Sequence, residues 1–190
     1  MKNKVKPANL ILALVMVFGA VTFFVNGSNA QNKMYRIGDK GPAGGWIFYD
    51  KGRSSDGWRY LEAAPEDQGD KAEWGCYTTS IPGAKGTAMG TGKSNTQAII
   101  KRCLELNIAA KLCTEYRGGG RSDWFLPSKD EVKEMYTNLQ KAGIGGFDNH
   151  IFWSSSEYSD NLAWLQGFSD GDQTHSYKDG SHHVRAVRAF

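Results

Sequence analysis

Two Asp-Gly pairs near the end of the chain are the feature that most limits its fold. Asp170-Gly171 and Asp179-Gly180 lie nine residues apart, between segments that are apolar or alternate between polar and apolar residues. Asp-Gly readily adopts the backbone angles of tight hairpin turns, so this pattern favours antiparallel strands. The last forty residues are therefore predicted to form a β-meander. Its strands are predicted at 152–156, 162–168, 173–178 and 182–190.

Helices are predicted in the middle of the chain. Ser128 and Glu131 have the spacing of a capping box, and the apolar residues that follow recur at helical spacing. An earlier helix is predicted with Asn95 as its N-cap, and residues 108–113 are predicted to form only a short helical turn. Aromatic, β-branched runs before residue 65 predict strands. The order strands, two helices, strands predicts an α+β domain in which helices pack on an antiparallel sheet and the first and last strands are adjacent.

The first 30 residues have the pattern of a secretory signal peptide. A lysine-containing start is followed by an apolar run, Leu10–Val25, and then by small residues that end at Ala30. Cleavage between Ala30 and Gln31 is predicted, which leaves residues 31–190 as a single domain. An uncleaved anchor is the alternative, although the run is shorter than the roughly 20 residues that span a bilayer. The mature protein is expected to be secreted, periplasmic or on the outer cell surface, with no membrane span.

The positive charge of the chain belongs to this leader. The formal net charge is +3, and the three charged residues of the leader are all lysines, which leaves 20 Lys+Arg and 20 Asp+Glu in residues 31–190. A domain without net charge lacks the positive field that duplex nucleic acid requires, so no nucleic-acid partner is expected. An anionic ligand would need a local patch of basic side chains.

Three cysteines allow at most one intramolecular disulfide. Cys103 and Cys113 flank a short segment, and this pair is the predicted bridge. Cys76 is then expected to be either buried and free or bonded to another chain. No C-x-x-C spacing is present, so a metal site built from the three thiols is not expected.

Candidate ligand contacts are predicted among loops 66–93 and the turns of the meander. Of the six tryptophans, Trp58 and Trp74 have loop-like surroundings that would suit stacking on a sugar. The proposed contacts are Trp74, Lys178, His183 and Arg185.

Other segments contain residue types that are used in catalysis and metal binding. Thr87–Ser94 resembles a phosphate-binding loop but has threonine in place of its first glycine, which favours a surface loop that leads into a helix. His182 and His183 are adjacent and point to opposite faces of a strand, so they are not expected to share a zinc ion. Neither a resident cofactor nor a metal is expected, with Ca²⁺ at Asp170, Asp172 and Asp179 as the open alternative. No complete catalytic motif is found, which favours a non-enzymatic protein.

Five segments resemble one bacterial family. They are Ile37–Gly45, Gly90–Lys93, Asp123–Glu131, Phe152–Tyr158 and Val184–Arg188. The sequence is similar in these segments to the domain of unknown function named after the C-terminal domain of the Legionella collagen-like protein. The resemblance implies a C-type-lectin-like fold and, for the founding protein, adhesion through sulfated polysaccharides.

This chain departs from those relatives in three respects. It has no long collagen repeat, it lacks the short motifs with which calcium-dependent lectins hold sugars, and it has no counterpart of the paired active-site cysteines of formylglycine-generating enzymes. The function expected is a binding or adhesion module for a polysaccharide or a surface protein. A structural envelope or filament subunit and an oxidase related to formylglycine-generating enzymes are the alternatives. Nothing in the sequence sets the oligomeric state.

Overall fold

A computed structural model describes residues 33–190, so the predicted leader and its cleavage point after Ala30 lie outside the described residues. Eleven helices and strands, apart from short 3₁₀ turns, make up the described part. They are β1 (Trp46–Ser55), β2 (Trp58–Ala63), β3 (Gly69–Ala72), α1 (Gly92–Arg102), α2 (Ala109–Glu115), α3 (Lys129–Asn138), β4 (Ile151–Glu157), β5 (Leu162–Gly167), β6 (Gln173–Tyr177), β7 (His182–Val184) and β8 (Val187–Ala189). No helix among residues 33–190 is long and apolar enough to cross a membrane.

The strands form two sheets. One has three antiparallel strands in the order β1-β2-β8, and the other has five in the order β3-β7-β4-β5-β6. In the first sheet Leu61 lies opposite Ala189, and Ala63 lies opposite Val187. The α+β class is therefore confirmed. The last strand, β8, pairs with β2, so the N- and C-terminal strands share a sheet, but β2 separates β8 from the first strand, β1.

The predicted meander is correct for three strands and wrong for the fourth. β4, β5 and β6 are antiparallel neighbours, with Asp170-Gly171 between the second and the third. After Asp179-Gly180 the chain does not return along β6. Instead β7 inserts between β3 and β4 and runs parallel to β4. Arg185 and Ala186 then interrupt the strand, and β8 joins the other sheet.

Three α-helices are present in the described residues where two were predicted. The segment expected to form only a turn contains the seven-residue α2, whose buried Ala109, Ala110 and Cys113 face the core. The capping box of α3 is confirmed, because Ser128 N–H donates to Glu131 Oε2 at 2.7 Å and Ser128 Oγ accepts from Glu131 N–H.

The predicted N-cap of α1 is wrong by about one turn. The helix begins at Gly92, and Asn95 lies inside it and is buried. Asn95 Nδ2 donates to Gly86 O at 2.6 Å and to Ser155 Oγ at 3.3 Å. The side chain therefore joins the preceding loop and β4 to the helix instead of capping it.

Two apolar clusters fill the domain. The first includes Trp74, Trp124 and Trp153 and packs beneath α1 and α2. The second is rich in phenylalanine and packs beneath α3, with Phe152 on β4 among its fully buried members.

The disulfide differs from the predicted one. Cys76 is bonded to Cys103 with a Cα–Cα distance of 5.6 Å, and Cys113 is free and buried. The loop after β3 runs against the end of α1, which brings Cys76 to Cys103, whereas Cys113 faces the core from α2. Burial raises the pKa of the Cys113 thiol well above its usual value. Because Cys76 is already paired, the expectation that it would be free or bonded to another chain is also wrong.

Candidate functional site

A cleft of about 450 Å³ lies between the β1–β2 hairpin and the start of α1. Its walls combine aromatic, charged and amide side chains with backbone from a glycine-rich loop. The lining residues are Asp56, Gly57, Trp58, Leu61, Gly90, Lys93, Ser94, Gln97, Phe125, Glu131 and Ala189.

Trp58 forms the aromatic wall of this cleft. It is half-buried at the start of β2, and the Lys51 ammonium lies 3.8 Å from the centre of its ring. A Cβ atom at Gly90 would come within 3.2 Å of the Trp58 ring, and Gly90 has a φ of +86°. The glycine thus serves two purposes: it permits a left-handed turn and lets the loop approach the indole.

The first two turns of α1 provide the polar wall. Lys93, Ser94 and Gln97 are exposed, while Asn95 and Thr96 between them are buried. Positions three and four residues apart lie on one side of a helix, which places Gln97 beside both Lys93 and Ser94. The three side chains present an amide, an ammonium and a hydroxyl to the same space. Together with the Asp56 carboxylate, they offer both hydrogen-bond donors and acceptors beside an aromatic ring.

Glu131 lines the cleft from α3 although its side chain is fully buried. Its Oε1 accepts from Gly90 N–H at 2.8 Å and its Oε2 from Ser128 N–H at 2.7 Å, and Gly92 N–H also donates to the carboxylate. One carboxylate therefore satisfies backbone groups at the starts of both α1 and α3. Burial raises the pKa of Glu131 to about 7, and these backbone hydrogen bonds oppose that rise.

In the segment Thr87–Ser94, which resembles a phosphate-binding loop, the Glu131 carboxylate takes the place of a phosphate. The amides of Gly90 and Gly92, which would face a phosphate in such a loop, donate to Glu131 instead. A phosphate bound here would have to compete with the Glu131 carboxylate for these two amides. The segment is a loop that leads into α1, as predicted.

Stability should depend on pH through Glu131. The folded state holds the proton up to about pH 7, whereas the unfolded chain releases it near 4.5, so this group favours folding at low pH and the advantage is lost as pH rises through 7. The loss is on the order of 3 kcal/mol. Urea unfolding at pH 5 and pH 8 should show a smaller pH effect for Glu131→Gln than for the wild type. Glu134→Gln on the same helix is the control, and a pH effect of equal size in wild type and Glu131→Gln would contradict the assignment.

Two of the four predicted contact residues are interior. Trp74 and Lys178 are both 0% exposed. Trp74 Nε1–H donates to Ser154 O at 2.8 Å, and Lys178 Nζ lies 4.6 Å from the Trp74 ring and donates to Glu157. The prediction that they contact a ligand is wrong, because both are enclosed where loop 73–81 crosses the larger sheet.

The other two predicted contacts lie together but outside the cleft. Arg185 is 2% exposed, and its guanidinium is used by Asp67 and by backbone carbonyls, which rules out a role as a surface anion contact. His183 is half-buried, with Nδ1 2.8 Å from Asp67 Oδ2. Neither residue lines the cleft at Trp58.

Ca²⁺ at the aspartates of the meander turns is the open alternative, and the structure shows what one of these aspartates does. Asp170 Oδ1 accepts from Asp172 N–H at 3.0 Å, and backbone hydrogen bonds lower the pKa of Asp170. This aspartate stabilises its own turn, in keeping with the preference of aspartate for such positions. Calcium binding at the three aspartates stays a prediction.

Comparison with known proteins identifies the family. The family model of the Lcl C-terminal domain matches residues 63–188 of the sequence. The chain belongs to this family. The resemblance to the domain of the Legionella collagen-like protein is therefore confirmed. Six of the eleven lining residues of the cleft lie within the match, whereas Asp56, Gly57, Trp58 and Leu61 precede it and Ala189 follows it. No curated protein matches the sequence.

Proposed function

We propose that this chain is an exported, non-enzymatic module that binds glycans through the cleft at Trp58. The observation that carries the proposal is the combination of an indole with a carboxylate, a hydroxyl, an ammonium and an amide around one open space of about 450 Å³. Sugars have apolar C–H faces and a rim of hydroxyl groups, which aromatic and hydrogen-bonding side chains respectively complement. The absence of net charge in residues 31–190 supports recognition of a neutral or weakly charged glycan.

The proposed fold is C-type-lectin-like. The α+β class, the pairing of β2 with β8 and the helices between the early and late strands support it. Superposition of an experimental structure of this chain on a lectin-like domain would test that proposal. Export is proposed from the leader alone, and N-terminal sequencing of the protein from fractionated cells would test both its cleavage and its location.

The test of glycan binding is a glycan array followed by calorimetry with the glycans that are retained. Trp58→Ala should weaken the affinity at least about tenfold, because an aromatic anchor at the centre of a contact commonly contributes more than 1 kcal/mol. Lys93→Ala and Gln97→Ala should each have a smaller effect.

Trp164 provides a matched control. It is half-buried, and Lys129 Nζ lies 3.8 Å from its ring centre, the same arrangement as at Trp58. Trp164→Ala should leave the affinity unchanged. Equal affinities for the two alanine variants would show that the cleft is not the binding site. If the chain binds proteins but no glycans, the ligand is a protein and the proposed ligand class is wrong.

The alternative functions receive less support from the cysteines. An oxidase related to formylglycine-generating enzymes needs a pair of thiols for copper, whereas Cys76 and Cys103 are bonded to each other and Cys113 is buried. The same bond removes Cys76 as a cross-link between filament subunits.

A further inference from the structure

A second cluster of side chains lies apart from the cleft. Asp67 in the loop between β2 and β3, His150 just before β4 and His183 in β7 each place one potential ligand atom within 4.8 Å of the others. We propose that these three residues bind a divalent transition metal, with Zn²⁺ as the preferred ion. Two imidazoles and one carboxylate are a common ligand set for zinc.

The distances are compatible with a site that tightens around an ion. Ligand atoms about 2.1 Å from a tetrahedral zinc lie about 3.4 Å apart. Asp67 Oδ2 and His183 Nδ1 are 2.8 Å apart, slightly closer than that, and the widest separation within the group is at most 4.8 Å. Displacements of about 1 Å would bring all three ligand atoms to the distances that zinc requires.

Asp67 is held in the orientation that such a site needs. Arg185 Nε donates to Asp67 Oδ1 at 2.6 Å, which directs the other oxygen, Oδ2, to His183. Outer hydrogen bonds of this kind orient ligating carboxylates in metal proteins. The guanidinium also neutralises the carboxylate in the absence of an ion, so the cluster is stable without metal and is available to bind it.

The ring of His150 must also reorient. Its ring stacks on that of His183 with centres 3.8 Å apart and planes 18° apart. Imidazole lone pairs lie in the ring plane, so two parallel rings do not aim at one point. Among residues 33–190, the His150 ring contacts the rings of His183 and Phe152, and both are aromatic contacts. Rotation of this ring about its side-chain bonds therefore breaks no hydrogen bond.

No local motif marks this site in the sequence, because its ligands lie far apart along the chain. His182 and His183 are adjacent, and only His183 contributes, since His182 packs edge-on against Trp153. The partner of His183 is His150, 33 positions earlier in the sequence, which the parallel pairing of β4 with β7 brings alongside it. Three protein ligands leave a fourth position on zinc for water or for an atom of a partner.

The experiment is a Zn²⁺ titration of the untagged chain in competition with a chromophoric chelator. One Zn²⁺ per chain is expected. Removal of a direct ligand should cost at least as much as removal of an outer-shell partner, so His150→Ala and His183→Ala should each weaken the affinity by about tenfold or more. The sequence has four histidines, and the other two provide controls: His175→Ala and His182→Ala should bind as the wild type does.

Cobalt substitution provides a second measurement. Co²⁺ at this site should give visible absorption bands typical of four-coordinate nitrogen and oxygen ligation, without the near-ultraviolet charge-transfer band of a thiolate. Circular dichroism establishes whether each variant is folded. If His183→Ala is not folded, the proposal is tested with His150→Ala alone. Failure to bind one equivalent, or binding that survives His150→Ala, would overturn the proposal. Neither result bears on glycan binding at Trp58.

Discussion

Lys178→Met should lower the free energy of unfolding by about 3–5 kcal/mol, the usual cost of removing one partner of a buried ion pair. Lys178 and Glu157 have side chains that are 0% exposed, and Nζ lies 2.7 Å from Glu157 Oε1. The ammonium also donates to Thr79 O at 2.8 Å. Methionine is similar in length but leaves the Glu157 carboxylate as an unpaired buried charge.

Urea unfolding of the wild type, Lys178→Met and the double variant Lys178→Met/Glu157→Gln measures this cost. The double variant should recover part of the loss, because it removes the unpaired charge. Lys51→Met is the control, since its partner Asp56 has a side chain that is 86% exposed and such pairs contribute about 0–1 kcal/mol. Similar losses for Lys178→Met and Lys51→Met would show that the buried pair contributes no more than a surface one.

Arg185→Leu should cost a similar amount, about 3–5 kcal/mol, because it leaves an acid and several carbonyl groups without their donor. The guanidinium donates to Asp67, to Ala64 O and to the carbonyls of Gly145 and Gly146. It also lies 4.2 Å from the centre of the Phe147 ring. A single side chain thus attaches the loop before β4 to the segment after β2.

This role predicts a local effect as well as a global one. Hydrogen exchange in residues 143–150 should accelerate more in Arg185→Leu than in Arg117→Leu. Arg117 is exposed, and its guanidinium donates to the nearby carbonyls of Thr114 and Tyr116, so its replacement should change stability by less than about 0.5 kcal/mol. Unchanged exchange in residues 143–150 would mean that the loop is held by other contacts.

Features that depend on neighbouring residues were predictable from the sequence. The capping box of Ser128 and Glu131 and the turn at Asp170-Gly171 are determined within a few residues, and both are present. The contacts that such an element makes with distant parts of the chain were not predictable. Glu131 also accepts from Gly90, 41 residues away, and no periodicity in the sequence indicates that contact.

These errors share one physical origin: the side chains concerned pair with residues that are far away in the sequence. Trp74 and Lys178 are in polar stretches of sequence, and they are buried because they pack on each other across the sheet. Cys103 bonds to Cys76, which approaches through tertiary packing, and not to Cys113 ten positions away. For the candidate site, the loop-like setting of Trp58 was a usable signal, whereas its proximity to Lys93 and Gln97 required the fold.

Both sheets depend on strands from the C-terminal end of the described residues. β7 lies between β3 and β4 in the larger sheet, and β8 completes the smaller one beside β2. A nascent chain that stops before residue 182 therefore has neither sheet closed, and its β3 has no strand partner. Pairing across more than a hundred residues is slow because it must await loop closure. The domain should consequently acquire its stable form only after residues 182–189 are available, as one cooperative unit and not progressively from its N-terminal end.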